Sequence, residues 1–361
     1  MHAHETRVLQ PGRKIRVLVV DDSVVIRRLV CHALEEEPLI EVVGIASDGA
    51  MALRRIPQVN PDVITLDIEM PEMDGLEMLR RLRSIDGRTR VVMFSTLTER
   101  GASATLEALT LGADDYVTKA SNAGSLGASL ANLRSQLVPK IRQFFRAEPT
   151  VAVPVLRSRA RALASPAAPM LAEAVAIGVS TGGPAALGDI VPQFPRDFPV
   201  PVFIVQHMPK LFTRLLAERL NSLSVLTVTE AVDGEPALPG HIYVAPGDYH
   251  MCAVRQEPNL KIALNQEMPL NSCRPSVDAL FGSLALACGG STVAAVLTGM
   301  GQDGRVGCQE LAAKGAYIMA QDESSSVVWG MPSAVIQAGA AHQVLPLAGI
   351  VPAIVERVVR P

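Results

Sequence analysis

The 361-residue chain is long enough for two domains, and a 48% hydrophobic fraction can bury a core in each. With 33 Lys and Arg against 36 Asp and Glu, the formal net charge is −3, which excludes a general electrostatic pull towards nucleic acid or anionic membrane. The five cysteines are scattered without a C-x-x-C pair, which favours reduced thiols over a disulfide framework or zinc site. The first fourteen residues hold no apolar run, so no secretory leader is expected. Residues 280–302 carry no charge, but Gly289-Gly290-Ser291 divides them into pieces too short to cross a bilayer. The expectation is a soluble, cytoplasmic protein with no membrane insertion and no nucleic-acid partner.

From Ile15, short β-branched runs alternate with amphipathic helical stretches. The runs are IRVLVV (15–20), IEVVGIA (40–46), VITL (63–66), RVVMFS (90–95) and DYVT (115–118), with helices beginning near Val24, Ala50, Leu76, Ala102 and Ser125. Five such βα units predict a doubly wound, flavodoxin-like parallel sheet over 14–134, because each parallel crossover needs a helix. Residues 135–172 begin as helix and then turn rich in Pro, Ala and Arg, which reads as a linker. Its Arg157, Arg159 and Arg161 suit a solvated tether better than a docking patch.

A second α/β domain is expected over 173–361, doubly wound and mostly parallel. Strands AVAIGV (174–179), VPVFIV (200–205), STVAAVL (291–297) and AYIMA (316–320) each precede a loop and a helix. Residues 241–264, with HIYVAP, YHMCAV and LKIAL around turn residues, predict an antiparallel hairpin excursion.

Functional groups in open parallel sheets gather at the carboxyl ends of strands. In the first domain these are Asp21 and Asp22 after the first strand, Asp67 at the end of the third, Ser95 and Thr96 at the fourth, and Lys119 after the fifth. Converging carboxylates repel unless a hard cation sits among them, and Mg²⁺ suits carboxylate oxygens. A carboxylate beside that cation can accept a phosphoryl group, with Lys119 offsetting charge and a hydroxyl of Ser95 or Thr96 bonding the product. VVDDSVVIRRLV and DVITLDIEMPEMDGLEMLRRL resemble bacterial response-regulator receiver domains, over about residues 14–134. That resemblance implies Asp67 as phosphoacceptor, Asp22 and Asp67 as direct Mg²⁺ ligands, and Asp21 acting mainly through water. It also implies Ser95 as switch hydroxyl ahead of Thr96, and Tyr116 as switch aromatic. Ala120 departs from the family, which usually has proline after the lysine, so the cis peptide of that Lys-Pro is not carried over.

In the second domain a strand runs into Gly178-Val179-Ser180-Thr181-Gly182-Gly183, and Pro184 suits the first turn of a helix. Alone, this match to a G-x-S-x-G nucleophile elbow is weak, since glycine-rich turns often hold phosphates or simply turn. A serine nucleophile needs a base and an orienting acid. His207 follows PVFIVQ and Asp303 follows VAAVLTGMGQ, so both can reach the strand edge that carries Ser180. Asp303 taken alone would be read as the N-cap of a helix beginning near Arg305. The order Ser, His, Asp departs from that of α/β-hydrolases.

GVSTGGP, QHMP, CRPSVD (273–278), LTGMGQDG (297–304) and AQDESSSVVWGMP (320–332) together resemble the chemotaxis protein-glutamate methylesterases, as does the fused receiver. The resemblance implies hydrolysis of glutamate methyl esters on methyl-accepting chemoreceptors, often with deamidation of receptor glutamines, and a chemotaxis histidine kinase as phosphodonor. Ser180 is then nucleophile, His207 base and acid, Asp303 the orienting carboxylate, and the Met300 N–H, joined by that of Thr181, the oxyanion donor. Mg²⁺ is expected in the receiver and no cofactor in the catalytic domain. CRPSVD is expected to line or brace the cleft, with Asp278 bracing. The unphosphorylated receiver is expected to cover the Ser180 cleft. The competing readings are a non-enzymatic response regulator and a hydrolase of small esters.

Overall fold

The structure, a computed structural model, describes residues 7–119, 126–147 and 171–359 and divides into two units between residues 152 and 153. In the N-terminal unit, strand β1 (Arg7–Leu9) precedes β2 (Ile15–Val20), α1 (Val24–Glu35), β3 (Ile40–Ala46), α2 (Gly49–Val59) and β4 (Val63–Asp67). Then come α3 (Gly75–Ile85), β5 (Arg90–Ser95), α4 (Glu99–Thr110), β6 (Asp115–Thr118), α5 (Leu126–Arg142) and β7 (Phe145–Ala147). β4 and β5 are buried along their whole length, which is why their apolar runs need no polar alternation. The five-stranded sheet has order β3-β2-β4-β5-β6 with every pairing parallel, while β1 pairs with β7 apart from it. Asp48, Asp74 and Thr98 cap α2, α3 and α4 by accepting from backbone N–H groups of the first turn.

Helix α5 runs past residue 134, so the first part of the expected linker is helical. Its remaining Pro/Ala/Arg-rich part, with Arg157, Arg159 and Arg161, lies outside the described residues, as does Ala120.

The C-terminal unit begins with β8 (Ala174–Val179), α6 (Gly183–Ile190), β9 (Val202–Gln206), α7 (Lys210–Leu223), β10 (Thr227–Glu230), β11 (Pro236–Ala237) and β12 (His241–Val244). It continues with β13 (His250–Gln256), β14 (Asn259–Asn265), α8 (Val277–Ala287), β15 (Thr292–Val296) and α9 (Arg305–Ala313). Last come β16 (Tyr317–Gln321), α10 (Met331–Gln337), β17 (Gln343–Leu345) and α11 (Leu347–Val359). A seven-stranded sheet of order β10-β12-β9-β8-β15-β16-β17 is parallel throughout, and β11-β14-β13 form a small antiparallel sheet.

One expectation is corrected in part. HIYV, expected in the antiparallel excursion, instead forms β12 in the main sheet between β10 and β9, and only β13 and β14 form the hairpin. Ile242, Tyr243 and Val244 are buried there, and Phe203 stacks on Tyr243 at 5.9 Å between centroids. Among the described residues no helix is long and apolar enough to cross a membrane, and the five cysteines are free.

Candidate functional sites

In the N-terminal unit the neighbouring strands β2 and β4 end beside each other, which brings Asp21 and Asp67 together. Both are buried, at 2% and 3% exposure, whereas Asp22 is exposed. Lys119, one residue past β6, places Nζ 2.7 Å from Asp67 Oδ2 and 3.1 Å from Asp21 Oδ2. Its backbone N–H donates to the Ser95 carbonyl at 2.7 Å, which holds the loop against β5.

Burial raises the Asp67 carboxyl to about 6; the Asp21 charge adds to the rise and Lys119 opposes it. Burial disfavours the Lys119 ammonium, but its pairing with Asp67 and Asp21 outweighs that and raises its pKa. Asp21 Oδ1 accepts from the Ser23 N–H at 2.9 Å, and the buried Oδ2 faces the Lys119 ammonium at 3.1 Å. Asp21, Asp22 and Asp67 each offer an oxygen within 4.8 Å of the others. An all-carboxylate donor set, with Asp21 and Asp67 buried, fits a hard divalent cation such as Mg²⁺. Behind the site, a Cβ at Gly75 would overlap the Asp67 carbonyl oxygen, so only glycine lets α3 start so close.

The two switch candidates are placed differently. Ser95 is fully buried; its hydroxyl accepts from Thr105 Oγ1 at 2.6 Å and donates to the Gly101 carbonyl at 3.2 Å, so it is engaged with α4. Thr96 Oγ1 lies 3.0 Å from Thr98 Oγ1. The Tyr116 ring is 9% exposed with Lys140 Nζ 5.1 Å from its centroid, and burial pushes its phenol up.

In the C-terminal unit the fully buried strands β8 and β9 pair so that Val179 faces Gln206. Ser180 and His207 therefore leave adjacent strands at the same level. The His207 N–H donates to the Val179 carbonyl at 3.3 Å, and Gln206 Nε2 donates to the Ser180 carbonyl at 3.0 Å. On the other flank the Ser180 N–H donates to the Thr298 carbonyl at 3.0 Å, tying it to the loop after β15. The chain then turns through Gly182 at φ +77°, a left-handed conformation that favours glycine, into α6 with Pro184 in its first turn. The Ser180 hydroxyl makes no hydrogen bond to any described residue.

Asp303 does not cap α9, as its position alone suggested. Gly304, at φ +87°, occupies the cap without a side-chain bond, and the carboxylate turns back to the sheet edge. There it is 2% exposed and accepts five hydrogen bonds. The donors are His207 Nε2 at 2.8 Å, Asn271 Nδ2 at 3.0 Å, Ser276 Oγ at 2.8 Å, and the N–H groups of Val277 at 2.7 Å and Asp278 at 3.2 Å.

Burial alone would raise the Asp303 pKa, but the imidazole and the other donors hold it well below the usual carboxylate range. Burial pulls the His207 pKa down; the hydrogen bond the ring donates to Asp303 outweighs that, with Cys273 adding, and the value rises to about 9. With Nε2 committed to Asp303, Nδ1 is the nitrogen left to exchange a proton, and Cys273 Sγ lies 3.6 Å from it.

Met300 is 43% exposed and its N–H bonds to no described residue. The loop beneath it is fixed by the Gly299 carbonyl, which accepts from the Gly330 and Met331 N–H groups at 3.0 and 2.9 Å. Thr181 lies nearby, its carbonyl accepting from Thr298 Oγ1 at 2.9 Å. Asp278 accepts from the Gly307 N–H at 2.8 Å and from Asn271 Nδ2 at 2.9 Å, and no hydrogen bond joins it to Ser180 or His207. Asn271, Ser276 and Cys273 were not singled out individually in the sequence. Only the motif CRPSVD pointed at the last two, because their contacts are made across the fold.

Two family profiles match the chain: "CheB methylesterase" over residues 175–354 and "Response regulator receiver domain" over residues 17–131. A protein-glutamate methylesterase/protein-glutamine glutaminase of Trichodesmium erythraeum is 48% identical over 96% of this chain and 99% of its own. One of the same description from a Nocardioides species is 47% identical over 97% and 96%. The crystal structure of the CheB methylesterase catalytic domain of Thermotoga maritima is 42% identical. It covers 52% of this chain and 99% of its own, with a TM-score of 0.51.

Proposed function

This chain belongs to the protein-glutamate methylesterase/protein-glutamine glutaminase family, and from that premise we propose that it removes methyl groups from glutamate esters on methyl-accepting chemoreceptors. In the proposed reaction the Ser180 hydroxyl attacks the ester carbonyl while His207 Nδ1 takes its proton. The same nitrogen protonates departing methanol, and water then hydrolyses the glutamyl-enzyme. Asp303 orients the imidazole through Nε2 and stabilises its charge. The Met300 N–H, with that of Thr181, faces the developing oxyanion. Replacing methanol by ammonia as leaving group gives the second proposed activity, deamidation of receptor glutamines.

The observation that carries this reading is the His207–Asp303 pair at 2.8 Å, next to Ser180 on the edge shared by β9, β8 and β15. It favours an enzyme over a non-enzymatic response regulator, because a ligand-binding loop has no use for a buried carboxylate–imidazole pair.

In the N-terminal unit Asp67 is the proposed phosphoacceptor, taking a phosphoryl group from a chemotaxis histidine kinase, with Asp21, Asp22 and Asp67 holding Mg²⁺. When bound, Mg²⁺ offsets charge on the transferring phosphoryl oxygens. Lys119 does the same from the other side, and Ser95 and Tyr116 report the modification by turning towards it. Phosphorylation is proposed to activate hydrolysis, in the cytoplasm, for adaptation of the chemotactic response.

The test is methanol release from methylated receptor with and without a phosphodonor. Release that rises with the phosphodonor and disappears in Ser180→Ala supports the reading, and undiminished release from Ser180→Ala sinks it.

A further inference from the structure

With Nε2 held by Asp303, the other imidazole nitrogen of His207 faces a thiol: Cys273 Sγ lies 3.6 Å from Nδ1. The backbone sets this position. Leu270 and Cys273 exchange hydrogen bonds at 3.1 and 2.8 Å across a two-residue turn, with Asn271 and Ser272 at φ +49° and +63°. The thiol is half-buried, so it is held in place yet open to small solutes.

Three features of this arrangement suit a borderline-soft divalent cation. A tetrahedral Zn²⁺ about 2.3 Å from sulfur and about 2.0 Å from an imidazole nitrogen holds those two atoms roughly 3.5 Å apart, close to the spacing found here. A metal-bound histidine commonly donates its other ring N–H to a carboxylate, which fixes its tautomer; His207 already does this to Asp303 at 2.8 Å. The ligand atoms of His207, Cys273 and Asp303 all lie within 4.8 Å of one another.

We propose that Cys273 and His207 Nδ1 form an inhibitory site for Zn²⁺ on the catalytic base. Binding places the cation on the lone pair that would otherwise take the Ser180 proton, and the Cys273 thiol releases its proton to solvent as the sulfur–metal bond forms. Water completes the coordination. Two protein ligands make the block reversible, unlike a four-ligand structural site. Mg²⁺, which prefers oxygen donors, does not compete, so the same cell can hold the receiver's cation abundant while Zn²⁺ governs the esterase. The inhibitory consequence rests on the proposed role of His207 as base; the binding itself does not.

The full-length protein in constant Mg²⁺ is titrated with Zn²⁺ while methanol release is followed. In parallel it is titrated with Co²⁺ while thiolate-to-metal charge-transfer absorption is followed. At about ten times the dissociation constant, wild-type turnover falls about tenfold by mass action and returns on chelation. In Cys273→Ala, each rate being compared with that variant's own metal-free rate, Zn²⁺ removes less than about half of the turnover, and the Co²⁺ band is lost. Equal Zn²⁺ sensitivity in the two proteins, or a Co²⁺ band that does not depend on Cys273, overturns the proposal. A Cys273-dependent band in a protein that releases no methanol even without metal keeps the site and removes the esterase reading instead.

Discussion

Replacing Asp303 by Asn should move the pH dependence of hydrolysis in a direction set by the geometry. In the wild type burial disfavours the imidazolium, yet Asp303 outweighs it and the His207 pKa rises from 6.5 to about 9. That gap corresponds to roughly 3 kcal/mol favouring the charged ring. If His207 is the base, as proposed, it acts only when neutral, and kcat/KM should climb with pH through a limb near 9. Asn keeps the side chain's shape but removes the charge, so burial loses its main opponent, with only Cys273 still acting against it, and the limb should move well below 9, while the plateau drops by ~10⁴-fold.

Stability should respond as well. A raised histidine pKa contributes stability that is complete below 6.5 and lost as pH rises through about 9, so the C-terminal unit should unfold more easily at alkaline pH. The variant should lack that alkaline loss. The assay is kcat/KM for methanol release from about pH 5 to about pH 10, with urea midpoints on the same samples. An acid limb unmoved in Asp303→Asn would refute the assignment of that limb to His207 and the role given to Asp303.

Ser180→Ala should lower turnover by ~10⁴-fold while changing the urea stability by less than about 0.5 kcal/mol, because the hydroxyl has no hydrogen-bond partner to lose. Gly75→Ala drives a Cβ into the Asp67 carbonyl oxygen and should destabilise the N-terminal unit by about 1–3 kcal/mol, with slower phosphoryl uptake read by phosphate-affinity electrophoresis. Mg²⁺ at ten times its dissociation constant should stabilise the same unit by about 1.4 kcal/mol in urea unfolding, and Asp21→Asn should remove most of that gain. A chain lacking residues 1–146 should release methanol faster than the unphosphorylated full-length protein; an equal or slower rate would argue against restraint by the receiver.

Much of this architecture could be read from runs of apolar residues. β8, β9, β15 and β16 are buried along nearly their full lengths, so their sequences are apolar runs rich in Val, Ile and Ala, and the expected strands fall within two residues of the observed ones. β12 was misplaced because HIYV sits among turn residues, and its partner is chosen by distant β9 and β10 rather than by anything local. β10 was missed because TVTE exposes alternate residues, as an edge strand does.

The site divides along the same line. The placement of Ser180 and His207 at one sheet edge was legible because each directly follows a buried strand. The hydrogen-bonding of Asp303 was not: its local context reads as a helix cap, and only the left-handed Gly304 and the distant segment 276–278 turn the carboxylate inward. Cys273 was illegible for the same reason, since its neighbour His207 lies 66 residues away in the chain.

Strands β9, β8 and β15 each have a hydrogen-bonded neighbour on both sides, and the reactive rim grows from their ends. Amides in such inner strands belong to the slowest-exchanging class, with opening free energies approaching that of the whole unit. Mild denaturant should therefore leave the ends of β8 and β9, and with them the backbone positions of Ser180 and His207, in place until the C-terminal unit opens.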